Sequence, residues 1–538
     1  MIRSLISTAA FLFAGVICST SSLAQITGNV QLDAQYYFED STIGAPDVPQ
    51  KLLSNGFANF EYNKGNFSAG LRYESYLDPI LGYDVRYQGS GIPYRYLKYN
   101  SGEIEVTAGS FYEQFGSGMV LRAYEERGLG YDNAFDGFRV KYNPYKGVYL
   151  KGLIGRQRTF FNLGEGLVRG GDVEWNLNES CDSLAGAKTQ WIIGGNFVSK
   201  YQKDQDPLYN LPENVGAGSG RLNVISGPWN IFTEFAYKVN DPGNSNGYIF
   251  KEGHSLLLQT TYTVDGFGAT FSVKRIDDMV FRSDRNAVGN NLFINYLPAT
   301  TKNHTYLLAA LYPYATQPTG EFGFQGEIFK QFRSGTSLGG EFGTDFNVNY
   351  SRAQSIEKVP TQDVNEGYTS EFLKLGNEVY YEDFNVEVQK KLSKKTKLNF
   401  LYMYQNYNKS VIEGTGGGHI FAHTVVADIR YRLTNKKSVR AEFQHLYTEQ
   451  DRKSWAAMLA EYSIAPHWFI GAIDQYNYGN DDSTRRIHYY TATMGYTRKA
   501  NRITIGYGKQ RAGILCVGGV CRTVPASNGF SMSITSSF

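Results

Sequence analysis

Along most of the chain, apolar and polar residues alternate with period two. Near the C-terminal end Ile503, Ile505 and Tyr507 fall on one face, and Thr504, Gly506 and Gly508 on the other. The preceding stretch sets Tyr490, Ala492, Met494 and Tyr496 against Thr491, Thr493 and Gly495. Further back, Ala427, Ile429, Tyr431 and Leu433 oppose Asp428, Arg430 and Arg432, while Val439, Ala441 and Phe443 oppose Arg440, Glu442 and Gln444. This period predicts strands with one apolar face and one polar or charged face. A half-buried soluble sheet alternates in the same way, so the connections have to decide.

Tight turn signals stand at Asn63-Lys64-Gly65, Asn143-Pro144, Gly227-Pro228, Asp265-Gly266, Arg333-Ser334-Gly335, Ser393-Lys394-Lys395, Asn435-Lys436-Lys437, Ala465-Pro466 and Arg498-Lys499-Ala500-Asn501. Between them lie pairs of strands joined by more variable polar connections, such as 202–216, 282–290, 352–373, 407–418 and 480–485. Alternating short and long connections predict an outer-membrane barrel, with short periplasmic turns and long extracellular loops. Counting through the turns gives about 26 strands, with 24 to 26 in range because the strands around 281–303 are ambiguous. The expected fold is all-β: a single large antiparallel transmembrane β-barrel spanning 25–538. The last ten residues fit a final strand, with Phe530, Met532, Ile534 and Phe538 alternating with Ser531, Ser533 and Thr535.

The start of the chain points to export. Arg3, the apolar run Leu5 to Val16 and the ending Ser22-Leu23-Ala24 form the three parts of a signal peptide, predicted to be cleaved after residue 24. The run is shorter than the roughly 20 apolar residues of a membrane helix. After it no apolar run reaches that length, and an exported chain of this kind either stays soluble or crosses as a barrel.

Composition narrows the function classes. Lys and Arg number 53 against 51 Asp and Glu, which leaves no electrostatic case for a nucleic-acid partner. Charged residues make up 19%, below the usual quarter or so, and aromatic residues 15%. No nucleophile elbow, phosphate-binding loop or His-Glu-x-x-His motif is present, so no enzyme activity is expected. His419 and His423 would lie roughly 13 Å apart on a strand rising about 3.3 Å per residue, and no metal site or cofactor is expected. Cys516 and Cys521 enclose Val-Gly-Gly-Val, where the glycines let the chain bend back into a disulfide. Two free thiols are the alternative, and Cys181 stands alone.

The most distinctive stretch runs from Phe111 to Gly137, FYEQFGSGMVLRAYEERGLGYDNAFDG. Its glycines permit turns that other residues resist, so 113–133 is read as a loop folding into the barrel mouth. Glu113, Arg122, Glu125, Glu126, Arg127, Asp132 and Asp136 are candidate constriction residues, joined by Arg139, Lys141, Arg156 and Arg158 from the strands that follow. If Phe138, Val140 and Tyr142 face lipid, period two turns Arg139 and Lys141 into the lumen, where charge stays hydrated. Such charges serve either to select solutes or to staple the loop to the wall. Tyr312, Pro313 and Tyr314 read as an aromatic rim or as part of a rigid hairpin.

With LYPYATQPTGE from Leu311 to Glu321 and GILCVGGVCRTVPASNGF from Gly513 to Phe530, this stretch resembles a bacteroidete outer-membrane barrel family of unknown function. The first stretch is also loosely similar to the inward loops of porins. The resemblance implies location and fold and carries no chemistry. The expected function is a porin-like channel for small polar solutes in the outer membrane of a diderm bacterium. The alternative is a non-conducting barrel subunit of an assembly, secretion or biogenesis complex, since wide barrels tend to be plugged or partnered. Expected partners are the bilayer and its lipopolysaccharide, the barrel-assembly machinery and other envelope proteins.

Overall fold

A computed structural model describes residues 25–518 and 520–538, and the expected signal peptide, 1–24, lies outside the described residues. The alternating segments form one 24-stranded antiparallel sheet. It closes on itself, because the first strand, Gln25–Phe38, pairs on one side with Leu52–Lys64 and on the other with the last strand, Ser527–Ser537. Closure leaves no edge, so the ladder hydrogen bonds run all the way round.

Connections at one end are short: 65–66, 101–103, 146–147, 227–228, 265–266, 392–395, 433–436, 465–467 and 499–500. Two longer ones, 177–188 and 333–343, share that end. The opposite end carries the long connections, of which 112–134 and 278–319 are the largest. One connection there is tight, at 160–161, between Val148–Thr159 and Asn162–Asn176. The Asn143-Pro144 signal falls inside the strand Phe135–Tyr145, where its pairing slips, and the turn itself follows at 146–147.

The expected count of about 26 is corrected to 24. The surplus came from the ambiguous stretch around 281–303, which crosses the interior and adds only an isolated bridge between Arg282 and Phe293. Pro298 there, and Pro313 and Pro318 further along the same connection, suit an irregular path better than a ladder.

Period two sorts the side chains as read. On Trp229–Lys238, Trp229, Ile231, Phe235 and Tyr237 are exposed on the outer face, while Glu234, Ala236 and Lys238 are buried inside. Phe530 and Phe538 of the final segment are exposed as well.

The closing seam depends on one residue without a side chain. At Gly529 φ is +157°, and a Cβ there would lie 1.8 Å from the Tyr36 carbonyl oxygen on the first strand. Gly529→Ala should therefore weaken closure by about 1–3 kcal/mol, the range for a strained backbone. The check is the temperature at which the folded form loses its compact mobility on a denaturing gel. Gly326→Ala, where nothing approaches within 4 Å, serves as the control, and equal behaviour of the two variants contradicts the seam argument.

Candidate functional site

The connection 112–134 enters the lumen as two short hairpins, Gln114–Phe115 with Leu121–Arg122 and Glu125–Glu126 with Tyr131–Asp132. Its glycines are needed where the path turns. Gly116 has φ +50°, and a Cβ there would meet the Glu234 carboxylate at 2.6 Å. That carboxylate accepts from the Ser117 amide at 2.7 Å and from the Ser219 hydroxyl at 2.6 Å, tying the loop to the wall.

Charge holds the rest of the loop. Arg72, on Phe67–Tyr76, pairs with Glu74 at 2.7 Å, with Glu125 at 2.8 Å and with Asp132. Arg158 bridges Asp132 and Glu74, and Arg127 pairs with Glu125 at 2.7 Å. Arg72, Arg127 and Arg158 thus face Glu74, Glu125 and Asp132 in a balanced knot. Arg72, Glu74 and Arg158 are almost entirely buried. Buried charge is tolerated only when it is paired and hydrogen-bonded, and each partner here meets that condition.

A second knot centres on Glu113, which takes Lys151 at 3.0 Å, Lys141 at 3.2 Å and Arg139 at 3.3 Å. Burial alone would raise its pKa, but Lys151, Lys141 and the hydrogen bonds from Lys151 and the Gln114 amide hold it below the ordinary 4.5. Arg139 also reaches Glu105 at 2.6 Å.

Arg122 meets no carboxylate among the described residues. Its guanidinium lies over the rings of Tyr124 at 4.5 Å and Tyr296 at 4.1 Å, and its amide donates to the Ile294 carbonyl at 2.8 Å. It therefore joins 112–134 to the second inward segment, 278–319, as a cation–π contact. Glu126 caps the short turn Arg127–Leu129 by accepting from the Gly128 amide at 3.2 Å.

Two candidates face the other way. Asp136 and Arg156 lie directly opposite each other on the outer face, where Asp136 pairs with Arg95 at 3.3 Å. Asp136 has the parity of exposed Phe138, so period two already puts it outside. Arg156 and Arg158 share a parity in sequence, but a register shift between them sends them to opposite faces.

The second inward segment had no counterpart among the expected inward loops. Its Met279, Phe281, Ile294 and Leu297 are buried with Phe115, Met119, Val120 and Leu121 of the first loop against inward wall residues. Those wall residues come from strands running from Ile104–Phe111 round to Phe267–Asp277. Beyond them, Leu308, Tyr312 and Tyr314 pack on Tyr381, Tyr407 and Trp455. The aromatic-rim reading of Tyr312 and Tyr314 is thereby corrected, since both rings are buried, at 5.4 Å from Tyr407 and 5.2 Å from Tyr381. His304, on the same segment, pairs with Asp383 of the wall.

Cys516 and Cys521 form a disulfide in a hairpin, Gly513–Val517 with Val520–Val524, that reaches the second segment. Tyr296 donates to the Gly518 carbonyl at 2.6 Å, and Asn290 to the Cys521 carbonyl at 2.6 Å.

The pattern of a family of unknown function, DUF6029, matches residues 1–538. The chain belongs to that family. No curated protein matches this DUF6029 chain. Among solved structures, it is similar to the translocation pore of the P pilus usher PapC, with 10% identity, TM-score 0.43 and coverage of 96% of this chain and 99% of that one. It is similar to the siderophore receptor PirA from Pseudomonas aeruginosa, with 10% identity, TM-score 0.42 and coverage of 97% and 81%. It is also similar to OpdR from Pseudomonas aeruginosa, with 10% identity, TM-score 0.33 and coverage of 96% of both. At these values the likenesses assign no substrate or partner to the DUF6029 chain.

Asp132, like Glu74, pairs with both buried arginines of the first knot. Asp132→Ala leaves Arg72 and Arg158 short of a partner and should cost about 3–5 kcal/mol, read from chemical denaturation. Glu113 carries a pH signature. Its folded pKa lies below the ordinary value, so its stabilisation is present above about pH 4.5 and is lost as pH falls through the lowered value. Wild type should lose thermal stability over that acid range more steeply than Glu113→Gln, and parallel pH profiles speak against the triple pairing.

Proposed function

We propose that this chain is an outer-membrane barrel closed by its own two inward segments, working without catalysis as a subunit of an envelope assembly. The observation that carries the reading is the apolar packing between those segments and the wall. Phe115, Met119, Phe281 and Ile294 have no exposed surface although they lie inside a barrel. An open polar channel gives such side chains no reason to be there. Placement in a membrane is supported by the closed ladder and by the exposed apolar outer face, since only helices and closed barrels satisfy every backbone group in lipid. In that placement the short-turn end faces the periplasm and the long loops face outward.

A second reading, a channel for small polar solutes that opens when the segments shift, is favoured by a separate feature. A polar cavity of about 750 Å³ lies inside the lumen at the short-turn end, between the wall and Tyr306 of the second segment.

Conductance of the purified barrel in a planar bilayer separates the two. The closed reading expects a correctly folded wild type to be silent and Asp132→Ala, which loosens the first segment, to show unstable openings. Steady wild-type conductance overturns the closed reading. If its ion selectivity also changes in Arg122→Ala or Arg127→Ala, the narrowest part lies at those arginines. For a silent barrel, purification from native membranes without cross-linking is expected to bring stoichiometric envelope proteins with it.

A further inference from the structure

The cavity at the short-turn end has a charge arrangement unlike the rest of the lumen. Lys391, Lys397 and Arg430 come from the neighbouring strands Leu375–Lys391, Thr396–Asn408 and His419–Arg432. They stand on one rung, since Lys391 is directly opposite Lys397 and Lys397 is directly opposite Arg430. Like charges placed directly across a sheet repel. Each belongs to the inward set of its strand, alternating with exposed outer residues such as Phe384, Phe400 and Ile429.

Elsewhere in the lumen, buried cations are met by carboxylates, as Lys274 is by Glu321, or by backbone carbonyls, as Arg282 is by those of Asn291 and Gly289, and half-buried Arg122 is met by aromatic rings. Here Lys391 and Lys397 have no ion pair among the described residues, and Arg430 reaches Asp428 at only 3.4 Å. Asp428 is already engaged by Arg440 at 3.0 Å, and Asp345, the other acid of the cavity, accepts from Gln331 at 3.0 Å. The excess positive charge is therefore uncompensated by the chain. The turns on either side, KKLSKKTK at 390–397 and RYRLTNKK at 430–437, contain no acidic residue.

The cavity also carries neutral hydrogen-bonding groups. Gln389 and Asn399 line it, each donating its amide N–H to Glu387, at 3.2 and 2.9 Å, and Tyr306 closes it towards the plug, bonded to the Asn399 amide. At about 750 Å³ the space is in the range of small-molecule sites.

We infer that this cavity is a binding site for a small anionic solute, one carrying a phosphate or carboxylate group beside hydroxyls. The rung of Lys391, Lys397 and Arg430 would hold the anion, and the side-chain carbonyl of exposed Gln389 a hydroxyl. Charge-assisted hydrogen bonds of this kind are the strong ones, and an anion on the rung removes the repulsion along it. The site stands whether or not the plug ever opens, because it is reached from the short-turn end.

Titration calorimetry of the full barrel in neutral detergent tests this, with glucose 6-phosphate and glucose as probes. Wild type should bind the phosphorylated sugar at least about tenfold more tightly, a difference of about 1.4 kcal/mol. In a Lys391→Gln, Lys397→Gln double variant the preference should fall close to unity, while Lys437→Gln, at the same end but outside the cavity lining, keeps it. Folding of each variant is read from its heat-dependent gel mobility. If the double variant does not fold, raising salt to about 0.5 M must erase the wild-type preference instead, as screening of exposed charge requires. Equal binding of the two sugars, binding of neither, or an unchanged preference in the folded double variant or at high salt overturns the assignment.

Discussion

A sheet of 24 strands closed on itself encloses more space than its own inward side chains can fill, because diameter grows with strand number. Everything inside this barrel follows from that excess. A small barrel packs its interior with wall residues alone, whereas this one brings in 112–134 and 278–319 from its long-loop end. Once a segment enters, its backbone and its charges need partners, and the wall supplies them. Strand residues that would line a water-filled pore instead become halves of a core. Val198, Val215, Ala236 and Ile276 are fully or almost fully buried for that reason, although they belong to the inward face of the sheet.

Burial then dictates the charge pattern. Where the inward segments touch the wall, cations and carboxylates come in matched sets, as Arg72, Arg127 and Arg158 do with Glu74, Glu125 and Asp132. On the outer face the same rule acts near the long-loop rim. Asp136 pairs with Arg95, and Arg275 with Asp277 sits under the segment carrying Tyr368 and Phe372. The disulfide hairpin belongs to this economy of contacts, holding Asn290 and Tyr296 from the outside of the plug.

The wall was legible in the sequence because alternation and turn chemistry are local signals. Ile231 and Phe235 announce the outer face, and Asp265-Gly266 announces its turn, without knowledge of any distant residue. The loop 112–134 was legible for a related reason, since glycines crowded among charges mark a path that is not a hairpin. The segment 278–319 was not, because its apolar residues follow no period. Met279, Phe281, Ile294 and Leu297 are placed by the shape of the lumen they fill, and counting them as strands inflated the tally. Arg158 comes inside only through a one-residue slip in pairing after Arg156, which period two has no means to announce. Asp136 was the opposite case, since its shared parity with Phe138 was on the page and its neighbours' charges drew attention away. Arg72 and Glu74 were overlooked because they lie a long way from the loop in sequence, although their strand forms part of the same knot.

The two ends of the lumen differ in a way that the fold alone does not require. Towards the long-loop end the chain gives the cations it buries partners of its own, Asp241 for Lys200, Glu321 for Lys274 and the carbonyls of Gly289 and Asn291 for Arg282. Towards the short-turn end Lys391 and Lys397 are exposed beside open space, with no ion pair among the described residues. Solvation explains why this is tolerated, since an exposed ammonium needs no partner in water. It does not explain why three cations share one rung when period two would admit a neutral residue at any of them. Lys391 does lie over the Phe342 ring at 5.3 Å, but one such contact does not require two further cations beside it on the rung. The asymmetry therefore separates a packed end of the lumen, where buried cations are met within the chain, from a solvated end where three cations stand together on one rung.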